Sequence, residues 1–196
     1  PDARVRAIGA VNTVVFEGSG ASGHNTDYSG FIAAYGASFG ARPPGRVALA
    51  GAGGAGKAVA FALLELGADA IHLFDPNTGL AEALANDLGA ARARAFASIE
   101  AAARDCEGVV NCSPVGMHGY PGSALPRPLL DGKTWAFDAV YTPMETSFLA
   151  DAKAEGLAVM GGYELHFHQG ILAFEIFTGA KPRDLGELRA RHLDAP

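Results

Sequence analysis

The sequence predicts an α/β fold with a doubly wound, mainly parallel sheet. Three observations predict it. Short apolar runs alternate with stretches of helical periodicity from residue 46 onward, a Gly-x-Gly-x-x-Gly run joins the first of those strands to the first of those helices, and an aspartate closes the next strand. Such alternation builds a parallel sheet, because parallel neighbours need a long crossover and a helix is the usual one.

In chain order, residues 5–15 are apolar and β-branched and read as a strand. The run Glu17-Gly18-Ser19-Gly20-Ala21-Ser22-Gly23 then supplies turn chemistry. Thr26 or Asp27 caps a helix that reaches about residue 39. Residues 40–45, with Pro43-Pro44, cannot continue it, because proline lacks the amide and drives its predecessor toward extended backbone. Residues 46–50 form a short buried strand, and 57–66 a helix stopped by Gly67. A strand at 71–75, helices at 80–88 and 99–103, and a strand at 108–111 follow. A Pro/Gly-rich loop over 113–128 leads to a strand at 134–140, a helix from about 145 to 155 and a last strand at 157–160. The run 165–177 is apolar on most sides, so this helix is expected to be buried between the sheet and something else.

The bulk numbers narrow the function. A chain of 196 residues, 49% hydrophobic, can bury one good core and a small appendage. A formal net charge of −6, with 15 Lys and Arg in no basic run, argues against a nucleic-acid surface, where clustered cations must replace counterions. Cys106 and Cys112 lack metal-ligand spacing, so buried thiols are expected rather than a disulfide framework or zinc. No apolar run approaches the roughly 18 residues that span a bilayer. Pro1-Asp2-Ala3-Arg4 shows no signal-peptide pattern, and a cytoplasmic protein is expected. The chain opens directly into Ile8-Gly9-Ala10-Val11-Asn12-Thr13, which reads as the middle of a fold, so a fragment is expected.

Gly51-Ala52-Gly53-Gly54-Ala55-Gly56 carries the first chemistry. A pyrophosphate needs backbone N–H groups aimed at it and no Cβ in the way; one glycine turns the chain, a second admits phosphate, a third lets helix and strand pack. Gly51, Gly53 and Gly56 take those places in a Rossmann-like strand, turn and helix, and that context favours a dinucleotide over a merely tight turn. Asp75 comes nineteen residues after Gly56, where its carboxylate can accept from ribose hydroxyls and would repel a 2′-phosphate. That selects NAD, with NADP as the alternative; the competing reading is a helix-capping Asp ahead of Pro76-Asn77-Thr78. His24, His166 and His168 invite a metal reading. Residues i and i+2 on a helix face apart, so no metal site is assigned and His168 is expected at a pocket wall or interface.

Several blocks now stand in one order: Ile8-Gly9-Ala10-Val11-Asn12-Thr13 with Asn25-Thr26-Asp27, the Gly51 loop, Asn111-Cys112-Ser113-Pro114-Val115-Gly116-Met117, Asp138-Ala139-Val140-Tyr141-Thr142-Pro143-Met144-Glu145-Thr146, and Gly161-Gly162 through His168-Gln169. Together they resemble the cofactor-binding, C-terminal portion of shikimate/quinate dehydrogenases. The resemblance implies reversible NAD(P)-linked hydride transfer at a ring hydroxyl of shikimate or quinate, in a cleft between a substrate domain and the nucleotide domain. It implies that Asn12, Asp27 and Gln169 hydrogen-bond substrate hydroxyls, with Asp27 the acidic half of a Lys–Asp catalytic dyad. Tyr141 contacts substrate or packs. Asn111, Cys112, Ser113 and Val140 line the nicotinamide, core packing being the other reading for Cys112 and Val140. Gly162 allows close backbone approach.

The chain departs from that pattern in one respect. The family's Lys and its carboxylate-binding serines lie in N-terminal motifs absent here, and Lys57, Lys133, Lys153 and Lys181 stand in unrelated contexts. The parent is therefore expected to be an enzyme and this stretch alone inactive. The expected division is 1–23 as the remnant of a substrate-binding domain, 24–45 as connecting helix and linker, 46–161 as the dinucleotide domain and 162–196 as interface helices. The apolar helix at 171–177 suits a missing domain or a second copy, so a homodimer is a further expectation. Two rival readings are an NADP-dependent shikimate dehydrogenase of aromatic amino-acid biosynthesis and a non-catalytic dinucleotide-binding module.

Overall fold

In strand β3 (Arg46–Ala50) every residue after Arg46 is buried, the signature of a parallel strand covered on both faces. The computed structural model, which describes residues 3–193, sets β3 at the centre of the fold. Before it come α1 (Ala3–Ile8), a hairpin of β1 (Thr13–Glu17) and β2 (Gly20–His24), and α2 (Thr26–Phe39). After it come α3 (Gly54–Glu65), β4 (Ala70–Phe74), α4 (Thr78–Leu88), β5 (Ala93–Ala95), α5 (Ile99–Ala103), β6 (Gly108–Asn111), β7 (Trp135–Asp138), α6 (Ser147–Ala154), β8 (Ala158–Met160), α7 (Gly162–Thr178) and α8 (Leu185–Leu193).

Six strands form one sheet in the order β5-β4-β3-β6-β7-β8, with every pairing parallel. The order grows outward from β3 in one direction and from β6 in the other. The chain thus reverses between β3 and β6, and in such sheets a crevice opens there, beyond the carboxyl ends of the strands. One core fills the face under α2, α3 and α4, with Phe31, Tyr35, Leu63, Leu84 and Trp135 fully buried; a second fills the other face with Ala102, Val109, Leu125 and Phe148. Tyr35 and Phe39 pack against Trp135 at 5.4 and 5.5 Å between centroids, and the indole N–H donates to Pro44 O at 3.0 Å, so the linker is pinned to the sheet.

Local structure departs from the sequence expectations at several places. The strand expected over 5–15 is split: Ala3–Ile8 is helical and β1 begins only at Thr13. Val5 and Ile8 stand three apart on one helix face and are both buried, with α1 tied to α3 by Arg4 and Glu65 at 2.8 Å, so burial overrides the β-branched preference. Helix α2 is capped by Asn25, not by Thr26 or Asp27; the Asn25 side chain accepts from Tyr28 N at 2.9 Å. Thr146 caps α6 in the same way, which leaves Glu145 outside that helix. Strand β5 was not expected, since Ala-Arg-Ala carries little periodic signal, whereas α8 falls inside the stretch expected to hold interface helices. On α7, Leu165, Phe167 and Ile171 are buried but Phe174 and Phe177 are 46% and 61% exposed, so burial stops halfway along the helix.

Candidate active site

The glycine turn sits at the carboxyl end of β3. Gly51 has φ +96°, and a Cβ there would stand 2.6 Å from the backbone of Cys112 and Ser113, where the end of β6 crowds it. A Cβ on Gly56 would lie 1.9 Å from Gly51 O, so helix and turn close only on a bare α-carbon. Gly53 and Gly54 face open space instead. Gly53 is the N-cap of α3 and offers no side-chain cap, so the first amides of α3 keep their donors for an anion. This is the shape a pyrophosphate requires: crowded where chain meets chain, bare where phosphate approaches.

Asp75 lies one residue past β4 and is half-buried. Its Oδ2 accepts from Ala52 N and its Oδ1 from Asn77 N, both at 2.8 Å. Asn77 occupies the N-cap of α4, so Asp75 is not itself the cap residue; it links the glycine turn to the following loop. Each carboxylate oxygen retains a further lone pair, which leaves capacity for sugar hydroxyls.

At the end of β6 the Asn111 amide is buried and completely engaged. Its Nδ2 donates to Val115 O and Asp138 Oδ1, each at 2.9 Å, and its Oδ1 accepts from Ser113 N at 2.9 Å and Ser113 Oγ at 2.6 Å. Asp138, also buried, accepts further from Val140 N at 3.0 Å and Thr146 Oγ1 at 2.6 Å. Burial pushes its carboxyl above the usual value, against the bonds from Thr146, Val140 and Asn111. The Asn111 side chain thus holds the loops after β6 and β7 in register rather than facing the crevice. Cys112 packs against the core edge, and burial, with the charges of Asp138 and Asp27, raises its thiol well out of the reactive range. Val140 is buried as well.

The hairpin seats the other half of the site. Asn12 N donates to His24 O at 3.1 Å, which lays the Asn12 side chain across the start of α2, where its Oδ1 accepts from Thr26 N at 2.8 Å. Its amide also bonds the Asp27 carboxylate. Burial raises the Asp27 carboxyl above its ordinary value, with the Asn12 bond and His166 pulling the other way. Gln169 arrives from α7. A Cβ on Gly30 would lie 2.8 Å from Gln169 N and Cβ, so the bare Gly30 lets α7 cross α2 closely and brings Gln169 Oε1 to 3.1 Å from Thr26 Oγ1.

Asp27, Ala55, Ala139, Tyr141, Gly162, Leu165, His166 and Gln169 line one cleft of about 150 Å³. Its α7 members stand at 162, 165, 166 and 169, the i, i+3, i+4, i+7 spacing of a single helix face. Gly162 is forced by the chain's own backbone, since a Cβ there would lie 2.4 Å from Ala139 O. Half-exposed Tyr141 stacks on His166 at 4.6 Å and 10°. The structure therefore brings Asp27, Tyr141, Gln169 and Gly162 together with the N-terminal turn of α3, sets Asn12 beside them, and turns Asn111 inward.

Sequence reasoning gave Thr26, Gly30 and Asp138 no role in the site; only the last two had a visible signal for one, a glycine inside a helix and an acid ending a buried strand. His168 does not pair with His166: its Nε2 is buried without a hydrogen-bond partner and burial lowers its basicity. Among the described residues no group of three His, Cys, Asp or Glu side chains is placed to hold a metal, and no helix is long and apolar enough to cross a membrane.

Comparison with known proteins follows the same lines. No family model matches the chain. A shikimate dehydrogenase (NADP(+)) of Streptomyces avermitilis is 41% identical over 185 residues, covering 91% of this chain and 64% of its own length. A quinate/shikimate dehydrogenase (NAD(+)) of Corynebacterium efficiens is 37% identical over 95% of this chain and 68% of its own. The solved quinate dehydrogenase of Corynebacterium glutamicum in complex with NAD superposes with a TM-score of 0.89 at 36% identity, over 98% of this chain and 70% of that one. The chain thus spans less than two thirds of the Streptomyces relative and slightly more than two thirds of the other two. With 37% identity to the Corynebacterium efficiens enzyme over 68% of that protein's length, and a parallel sheet that superposes on a solved member over 98% of this chain, the chain belongs to the shikimate/quinate dehydrogenase family.

Proposed function

We propose that the chain is the cofactor-binding part of an NAD-linked dehydrogenase that exchanges hydride between nicotinamide and a ring hydroxyl of shikimate or quinate. One observation carries this reading: Asp27 and Gln169, from two helices outside the nucleotide unit, line the same cleft as Ala55 in the first turn of α3. A hydroxylated ring and a dinucleotide anchored on that turn would meet there. In this reading residues 1–23 belong to the substrate side, 24–45 connect, 46–161 hold the dinucleotide and 162–196 close the interface.

Gly51 through Gly56 and the amides of α3 hold the diphosphate, and Asp75 accepts from the adenosine ribose. Nicotinamide, when bound, supplies the hydride acceptor. Asp27 accepts a hydrogen bond from a substrate hydroxyl, and burial, by raising its carboxyl above the ordinary value, makes it a better proton acceptor. Asn12 and Gln169 donate to neighbouring hydroxyls, and Tyr141 with His166 forms the wall. Among the described residues no lysine lines the cleft: Lys57 pairs with Asp87, Lys153 with Glu145, and Lys133 donates to Ala103 O. The 196-residue chain is therefore proposed to bind dinucleotide without turning over substrate.

NADP is the second reading, favoured by the name of the Streptomyces relative and opposed by the Asp75 carboxylate. Titrating the protein with NAD and NADP, then assaying quinate- and shikimate-dependent NADH formation, tests the proposal. NAD should bind more tightly and NADH should not form. Tighter NADP binding would overturn the cofactor assignment; turnover by this chain would overturn the need for an added lysine; no binding of either cofactor would sink the reading as a whole.

A further inference from the structure

We propose that Thr26 is a positioning residue: its hydroxyl fixes the Gln169 amide, and its backbone N–H fixes the Asn12 amide, so that Gln169 turns an N–H donor toward the cleft and Asn12 turns one toward Asp27. What the Gln169 donor meets rests on the proposed substrate; the arrangement itself stands on this chain alone.

The argument is one of proton counting. Thr26 is almost wholly buried, on the first residue of α2. Its backbone N–H lies 2.8 Å from Asn12 Oδ1, and a backbone N–H can only donate. The Asn12 oxygen must therefore face Thr26, and Nδ2 must face Asp27, the arrangement in which the amide donates to the carboxylate. Around the Thr26 hydroxyl stand two amide oxygens, Asn12 Oδ1 at 3.2 Å and Gln169 Oε1 at 3.1 Å. The hydroxyl has one proton. Asn12 Oδ1 is already served by the Thr26 N–H and by Thr13 Oγ1 at 3.2 Å. The Thr26 proton therefore goes to Gln169 Oε1, for which it is the one described donor, and Gln169 Nε2 is left toward the cleft.

The consequence is a cleft where Gln169 offers a donor and Asp27 a carboxylate acceptor, with the Asn12 amide held beside Asp27. That set matches adjacent hydroxyls, one accepting from the Gln169 amide while another donates to Asp27. With the Thr26 hydroxyl removed, the Gln169 amide is free to rotate half a turn and offer an oxygen where a donor is needed. Asn12, held by a backbone group, would not respond.

Gln169 is the only glutamine in the sequence, so one side-chain amide signal in a 15N-glutamine-labelled sample reports on it without ambiguity. Thr26→Val keeps shape and backbone N–H and removes the hydroxyl; Thr26→Ser restores it; Thr26→Ala serves if the valine variant fails to fold. The NMR order of the Gln169 amide is expected to drop in Thr26→Val and return in Thr26→Ser, while the Asn12 amide signals, read in a uniformly 15N-labelled sample, stay in place. Calorimetric titration with quinate and with shikimate should show binding weakened about 3- to 10-fold in Thr26→Val, the range for one neutral hydrogen bond, and recovered in Thr26→Ser. An unchanged Gln169 signal in both hydroxyl-free variants would overturn the inference. If the unaltered chain bound neither ring acid but its Gln169 amide still loosened in Thr26→Val, the positioning role would stand and the substrate reading would fall.

Discussion

Replacing Gly30 by alanine tests how tightly the candidate site is built. The added Cβ would sit 2.8 Å from Gln169 Cβ and N and 2.9 Å from its Cα, and two of those three atoms are backbone, which cannot swing aside. Ordinary contact needs about 3.5–4.0 Å, so α7 must retreat from α2 by close to an ångström. Overpacking of this kind costs about 1–3 kcal/mol, against a gain of about 1 kcal/mol from exchanging glycine for alanine inside a helix. Gly36 provides the internal control: it lies on the same helix, exposed, with nothing within 4 Å of its Cβ position, so Gly36→Ala collects the helical gain alone. The propensity terms cancel between the two variants, and the contact term of about 1–3 kcal/mol remains. At roughly 2–4 °C per kcal/mol for a chain of this size, Gly30→Ala should melt about 2–12 °C below Gly36→Ala. Calorimetric melting of both proteins measures the gap. Equal melting temperatures would show that the helices can part without cost and would remove the argument that Gly30 sets the position of Gln169.

Other perturbations probe the remaining contacts. Gly56→Ala, with its Cβ 1.9 Å from Gly51 O, should abolish NAD binding in a fluorescence titration; retention of affinity would refute the close-packed turn. Asp75→Asn should narrow the ratio of NAD to NADP affinity by about tenfold, since it removes the charge set against a 2′-phosphate while an amide oxygen can still accept; an unchanged ratio would clear Asp75 of that role. Asp138→Ala strands the donors of Asn111, Val140 and Thr146 and should cost about 3–5 kcal/mol in urea unfolding. For His168 burial lowers the folded pKa below the usual 6.5, so the unfolded chain binds the proton first, and stability should be full above pH 6.5 and fall as pH drops through it. His168→Phe should flatten that slope below pH 6.5; a profile identical to the unaltered protein would refute the assignment.

The parts legible in the sequence were those with a period or a chemical monopoly. The sheet strands expected at 46–50, 108–111 and 134–140, the last of which ends two residues earlier at Asp138, show as apolar runs because both their faces are covered. The glycine turn shows because only glycine survives beside Cys112 and under Gly51 O. Burial against a distant element does not show. Val5 and Ile8 read as strand until α3 supplies a surface for them, and β5 has only Ala-Arg-Ala to announce it. At the site, Asp27 and Gln169 came from family resemblance, while the reason they meet lies in a glycine three residues along one helix and a threonine hydroxyl between two amides. Asn111 is the converse case: its side chain looked like a lining group, yet all four of its hydrogen-bond positions are spent on the loops around it.

Helix α7 also works as a gauge. Its start is seated under the Ala139 and Val140 carbonyls at Gly162, and seven residues at 1.5 Å each carry the chain about 10.5 Å to Gln169 on the same side. The end of β7 thus meters where a side chain two turns away comes to rest. Adding or deleting one residue between those points would swing Gln169 about 100° around the axis while leaving the hydrophobic content of the helix intact. A length change too small to unfold the protein would therefore be enough to blind the cleft.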